Sequence, residues 1–120
     1  MSEVVKFKNK NGKCPIDIFL RKLLSSGDEK GVQKVMYFTK LLEQFGYELP
    51  KIYPTYVKRL DENLYELRPG NKRIIYFFYN ENGCYVLLHG FIKKTQKTPD
   101  EEIEKAKKEM KEYEEMQYER

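Results

Sequence analysis

Apolar residues recur along this chain with two different periods, and the switch between them divides it. Behind Pro15, which suits the first turn of a helix, Ile16, Phe19, Leu20, Leu23 and Leu24 follow at helical spacing. Ser25-Ser26-Gly27 ends that segment, and Asp28 can cap a second helix. The stripe of this second helix is Val32, Val35, Met36, Phe38, Leu42 and Phe45, with Leu41 beside it and Gly46 as its terminator. A link this short predicts an antiparallel helical hairpin, whose apolar faces then need a sheet to cover. From residue 57 the period falls to two. Residues 57–60, 64–68, 73–79 and 84–92 read as strands, residues 4–8 as a short strand or an extended arm, and residues 47–56 as irregular, broken by Pro50 and Pro54. A last helix starts at Thr98-Pro99-Asp100-Glu101, with threonine as cap and Glu101 completing a capping box. Its stripe of Ile103, Ala106, Met110, Tyr113 and Gln117 is thin, so it docks lightly or serves a partner. The expected fold class is α+β: an N-terminal helical hairpin packed on an antiparallel sheet, with a C-terminal helix, in one domain over residues 1–120.

The turns between the strands set which side chains share a face. Pro69-Gly70-Asn71-Lys72 joins two strands whose ends are Arg68 and Arg73. A two- or four-residue loop there sets these arginines opposite one another, an arrangement that is unfavourable unless an anion lies between them. Asn80-Glu81-Asn82-Gly83 suits a three-residue hairpin loop with a glycine bulge, which pairs Asn80 with Cys84, Ile75 with His89 and Arg73 with Phe91. On that register Tyr65, Leu67, Ile74, Tyr76, Phe78, Val86, Leu88 and Ile92 form the core face. Glu66, Arg68, Arg73, His89 and Lys93 share the other face with Tyr79, Tyr85 and Phe91. Cations among aromatic rings are what a nucleic-acid surface needs, charge for phosphate and rings for bases.

Charge distribution sharpens this picture. The net charge of the 120 residues is only +4, but residues 51–98 carry 9 basic and 4 acidic side chains, while residues 99–120 carry 5 and 9. A basic centre favours polyanions. Composition, 40% hydrophobic and 14% aromatic, supports a packed core rather than a disordered chain. No apolar run approaches the roughly 20 residues that cross a bilayer, and the N-terminus lacks the order of a signal peptide. Cys14, Cys84 and His89 have no metal-ligand spacing, so no metal is expected, and two buried thiols in a soluble, cytoplasmic protein is the plain reading.

Leu64-Tyr65-Glu66-Leu67-Arg68, Arg73-Ile74-Ile75-Tyr76-Phe77 and the run from Leu87 through His89-Gly90-Phe91-Ile92-Lys93-Lys94-Thr95-Gln96-Lys97-Thr98-Pro99 resemble the phage-derived HigB-like branch of the RelE/ParE toxin superfamily. The similarity runs on through Glu102-Ile103-Glu104-Lys105-Ala106 and covers mainly the second half of the chain. The resemblance implies a small RelE-like α+β toxin with helices on one face of its sheet. It also implies cleavage of messenger RNA during translation on the ribosome, no cofactor, and a cognate antitoxin, in this branch often a helix-turn-helix protein. Alternatives within the same reading are a ParE-like topoisomerase inhibitor or a non-catalytic phage-derived nucleic-acid-binding module. The family's catalytic surface is the exposed sheet face, onto which Arg68 and Arg73 map as its arginines, with His89 or Lys93 where a proton-transfer group would sit.

Metal-free RNA cleavage uses the 2′-hydroxyl as nucleophile and needs a base, positive charge around the phosphorane and an acid for the leaving oxygen. Arg68 and Arg73 suit the electrostatic role, since guanidinium stays charged and forks onto phosphate oxygens. Glu66 or His89 as base with Lys93 as acid is one assignment. Lys58, Lys94 and Lys97 are candidates for RNA phosphates, Tyr79 and Tyr85 for stacked bases. Each has a plainer rival: Arg68 bridged to Glu66, His89 as a satisfied structural histidine or an antitoxin contact, the lysines as solvated charges, the tyrosines as anchors for a protein partner, and Tyr76 as packing.

Overall fold

The computed structural model describes residues 2–119. The elements run β1 (Glu3–Lys6), α1 (Pro15–Ser25), α2 (Glu29–Phe45), a 3-10 turn (Gly46–Glu48), α3 (Leu49–Ile52), β2 (Val57–Asp61), β3 (Leu64–Leu67), β4 (Lys72–Tyr79), β5 (Cys84–Ile92) and α4 (Asp100–Tyr118). The order of elements follows the hydrophobic periods, with one local exception. Residues 46–52, expected to be irregular, form two short helical turns, and Pro50 sits in the first turn of α3, where its missing N–H costs nothing. The Asp28 carboxylate caps α2 as expected, accepting the Gly31 N–H at 2.9 Å. At the other end α2 stops on Gly46, whose φ of +55° is open to glycine and strained for most other residues.

The five strands lie in the order β1-β5-β4-β3-β2. Strands β2 to β5 form an antiparallel meander, but β1 joins parallel to β5, pairing Glu3 with Cys84 and Lys6 with Leu87. Residues 3–6 thus take the strand alternative, adding one parallel edge to the expected antiparallel sheet. Both sheet faces are covered. Helices α1 and α2 bury Phe19, Leu23, Val35, Phe38 and Leu42 against Leu67, Ile74, Tyr76, Tyr85 and Leu87. Helix α4 lays Ile103, Ala106, Met110 and Tyr113 over Phe77, Tyr79, Cys84, Val86 and Leu88. Of the α4 stripe Ala106 is fully buried, while Ile103, Met110 and Tyr113 are partly buried against that cluster. Close approach of α1 depends on Gly90, where a Cβ would stand 2.5 Å from the Phe19 ring.

The β3–β4 register, Tyr65 with Tyr76 and Leu67 with Ile74, sets Arg68 opposite Arg73 one step further on. In β4–β5, Arg73 pairs with Phe91 and Ile75 with His89, as expected, but Tyr76 pairs with Leu87 and Tyr79 with Cys84. Leu88 has no partner in this ladder: it is an extra residue, a β-bulge. The loop is thus four residues, 80–83, and the half of β5 next to it is turned over. Tyr85 and Leu87 face α1 and α2, whereas Val86 and Leu88 face α4. The expected faces of Tyr85, Val86 and Leu88 are corrected accordingly.

Candidate active site

The sheet face under α4 carries a transverse row of Cα partners, Lys58, Glu66, Ile75 and His89, running from the β2 edge to β5. One strand position beyond it lies the hairpin of Arg68 and Arg73. Three of these charged side chains are nearly inaccessible: Glu66 is 1%, His89 2% and Arg73 5% exposed. The resemblance implied an open, basic face; the structure corrects this to two clusters of buried charge beneath α4 and the loop 93–99.

The first cluster is built around Glu66. Its Oε2 lies 3.7 Å from Arg68 Nε and 3.8 Å from Arg73 Nε, so one carboxylate sits between the opposed guanidiniums. Its other oxygen, Oε1, accepts the Thr98 hydroxyl at 2.7 Å. Thr98 was expected to cap α4. Its hydroxyl goes to Glu66 instead, and the helix begins behind Pro99 with no side-chain cap, its dipole opposed by Asp100, Glu101 and Glu102. Arg73 turns its Nη1 back onto the hairpin, donating to Gly70 O at 2.9 Å and Lys72 O at 2.7 Å. Burial, and then the like charge of Arg68, lower its proton affinity from the ordinary arginine range, while Glu66 opposes both. Arg73 is thus a buried scaffold cation, and Glu66, enclosed between two cations, is poorly placed as a base.

Arg68 is different. Its side chain is partly exposed, yet its Nε is buried without a hydrogen-bond partner. Its backbone N–H donates to Tyr56 O at 2.9 Å, which ties the hairpin to the approach of β2. The loop 93–99 closes over Arg73 so tightly that only about 10 Å³ remains beneath it. Its lysines point the charge outward: Lys94 and Lys97 are exposed and Lys93 is half-buried, its N–H bonded to Asn71 O at 2.8 Å. Lys58 is exposed at the β2 edge. Lys72, by contrast, is bound to Asp28 at 2.5 Å and to Asn71 at 2.7 Å, which fastens the hairpin to the start of α2.

The second cluster seals α4 to the sheet. His89 Nδ1 meets Glu109 at 2.5 Å and its Nε2 meets Glu102 at 3.0 Å. Each ring nitrogen faces a carboxylate oxygen. His89 therefore has no free nitrogen for a substrate, and the plain reading of a satisfied structural histidine fits its geometry. Tyr79 is also withdrawn: its ring packs edge-on to Tyr113 and its hydroxyl donates to Glu81 at 3.0 Å. Tyr79 and Tyr85, expected to stack on bases, are both buried, on opposite faces. Glu102 and Glu109 were missed by sequence reasoning, although their seven-residue spacing places them beside the stripe of Ile103, Ala106 and Met110 and so against the sheet.

Among the described residues no group of His, Cys, Asp and Glu has the arrangement of a metal site, and no helix is long and apolar enough to cross a membrane. The model of the family described as phage-derived protein Gp49-like matches residues 22–111. None of the curated proteins matches the chain significantly. Among solved structures, a chain of the archaeal RelE-RelB complex from Pyrococcus horikoshii OT3 superposes with a TM-score of 0.55 at 20% identity, over 78% of this chain and 96% of that one. The two share their fold.

Proposed function

The chain belongs to the phage-derived Gp49-like family, within the RelE toxin superfamily, and from that premise we propose that it is the toxin of a type II toxin–antitoxin pair, cutting messenger RNA on the ribosome. The observation that carries this reading is the charge left over around Glu66. Two guanidiniums share one carboxylate, the lysines of loop 93–99 add to the surplus, and Arg68 is partly exposed while its buried Nε lacks a hydrogen-bond partner. That combination fits a phosphate in its transition state, where positive charge is worth most in a site screened from water.

In this mechanism Arg68 forks onto the non-bridging oxygens of the scissile phosphate, and Arg73 backs it from beneath. The 2′-oxygen bonds to phosphorus, its proton passing to water, and the 5′-oxygen leaves with a proton from Lys93. Lys58, Lys94 and Lys97 hold neighbouring phosphates. His89 acts through the position of α4, not on the substrate. Placement of the RNA by the ribosome supplies the orientation that a site with a single accessible arginine lacks. The RelE of the archaeal complex is bound to RelB, which supports a cognate antitoxin as the partner here; the resemblance makes that antitoxin a helix-turn-helix protein.

Mapping the 5′ ends of cellular mRNA after brief induction tests this directly. Wild-type chain is expected to generate new ends within open reading frames and to arrest growth, both abolished by Arg68→Ala and relieved by the antitoxin gene. Intact transcripts during arrest would overturn it. One observation favours a second reading: the only histidine is sealed away, as in a protein that binds without catalysing. A ParE-like topoisomerase inhibitor would give filamentation and DNA damage with intact mRNA.

A further inference from the structure

A cavity lies on the sheet face away from the arginines, and nothing in the proposed cleavage uses it. It has a volume of about 560 Å³, within the range of small-molecule sites. Tyr65, Tyr76, Phe78 and Tyr85 form its sheet wall, while Tyr47, carried by the 3-10 turn, stands at its lip. The wall is a continuous aromatic surface. Tyr65 and Tyr76 stack with centroids 5.5 Å apart, Tyr85 meets Tyr76 edge-on at 6.0 Å, and Phe78 leans on Tyr85 at 4.9 Å. Tyr85 reaches this wall only because the bulge at Leu88 turned that half of β5 over.

Two properties define what fits. No charged side chain is among the described residues lining the cleft. A phosphate would find no counter-ion in the lining itself, the cation at the lip, Lys51 Nζ, standing 5.4 Å over the Tyr47 ring, and an ammonium would find no carboxylate. Three phenols, Tyr65, Tyr76 and Tyr85, share the wall, and burial, then Tyr85 and Tyr65, push the ionisation of Tyr76 well above the ordinary phenol range, so its O–H persists as a donor. Each phenol can donate and accept. A plain hydrocarbon ring would leave those groups unpaired, which costs affinity. A flat ring with donors and acceptors on its edge stacks on the wall and satisfies them.

We propose that this tyrosine cleft is a binding site for an uncharged nucleoside, gripped by its planar base. The site stands apart from the arginine cluster and does not rest on the nuclease reading.

Titration of the full chain with adenosine, followed by NMR of tyrosine ring signals, tests the proposal. Saturable shifts are expected at Tyr65, Tyr76 and Tyr85. Adenosine monophosphate should bind about fivefold or more weakly, because no cation lines the cleft and Lys51 is held over Tyr47 outside it. Tyr65→Phe should weaken adenosine by roughly three- to tenfold through one lost hydrogen bond. Tyr47→Ala, at a position 71% exposed and so unimportant for folding, should weaken it by a similar factor. Arg68→Ala should leave it unchanged. No saturable shifts up to the solubility limit, benzene bound as tightly as adenosine, or tighter binding of the monophosphate would each overturn it.

Discussion

Two clusters of buried charge share one sheet face, and what separates them is what each leaves unpaired. Around His89 two carboxylates enclose one imidazole and both ring nitrogens are taken. Around Glu66 one carboxylate serves two guanidiniums, and the Arg68 Nε stays without a hydrogen-bond partner. The first closes on itself and fixes a helix; the second keeps positive charge in reserve for something brought from outside. Burial alone does not mark a functional site here. The imbalance does.

The largest effect expected from this contrast is at Arg68. Arg68→Ala should lower RNA cleavage by about 10²- to 10³-fold, the loss typical of one transition-state donor, measured as the rate of appearance of new mRNA 5′ ends. Arg68→Lys should recover only part, because a single ammonium cannot fork. Cleavage within threefold of wild type in Arg68→Ala would break the contrast.

Next comes the sealed cluster. Glu109→Ala leaves His89 short of a partner and should cost about 1–3 kcal/mol in urea unfolding, with cleavage per folded molecule unchanged. The double change His89→Leu with Glu109→Leu replaces the pair by apolar volume and should regain most of that stability. If instead the double variant is folded but inactive, His89 takes part in the chemistry.

Smaller effects are expected at the rim. Lys58→Ala, Lys94→Ala and Lys97→Ala should each reduce the salt dependence of RNA binding by about one counter-ion without changing its sequence preference. A flat salt response in wild-type chain would remove the lysines from the interface.

The smallest effect concerns pH and probes how well α4 is held. Burial and the hydrogen bond to Glu81 push Tyr79 up to about 12. A raised value in the folded state means its contribution is complete below about pH 10, the unfolded phenol value, and is lost as pH rises toward 12. Absorbance titration should show Tyr79 ionising late, and Tyr79→Phe should make folding less sensitive to alkali over pH 10–12. Ionisation of Tyr79 near pH 10 in the folded chain would mean that α4 does not cover it.

Much of this architecture is legible from local pattern. The two helices, their cap at Asp28 and stop at Gly46, and the register that opposes Arg68 and Arg73 follow from spacing and turn residues. The tertiary choices do not. Nothing local says that Thr98 prefers a buried carboxylate 32 positions away to the helix it precedes, or that the short stripe of α4 covers a face already rich in charge. The bulge at Leu88 is the clearest case. Asn80 to Gly83 is compatible with three- and four-residue loops, and the choice between them is made by which side of Tyr85 and Leu87 packs best against α1 and α2. The candidate site was legible as an arginine hairpin with Glu66 beside it; the roles of His89, Tyr79 and Tyr85 were not, because they depend on what covers them.

That one unpaired residue also gives the strand two independent phases. Upstream of Leu88 the alternation of β5 serves the tyrosine cleft; downstream it serves the arginine face, and neither half dictates the other's side chains. Variation can therefore accumulate at one end of β5 without being read at the other. Removing Leu88 would join the phases into one unbroken alternation, with Leu87 opposite Tyr76 and His89 still opposite Ile75 beneath Glu102 and Glu109, at the cost of the one apolar side chain that the bulge adds under α4.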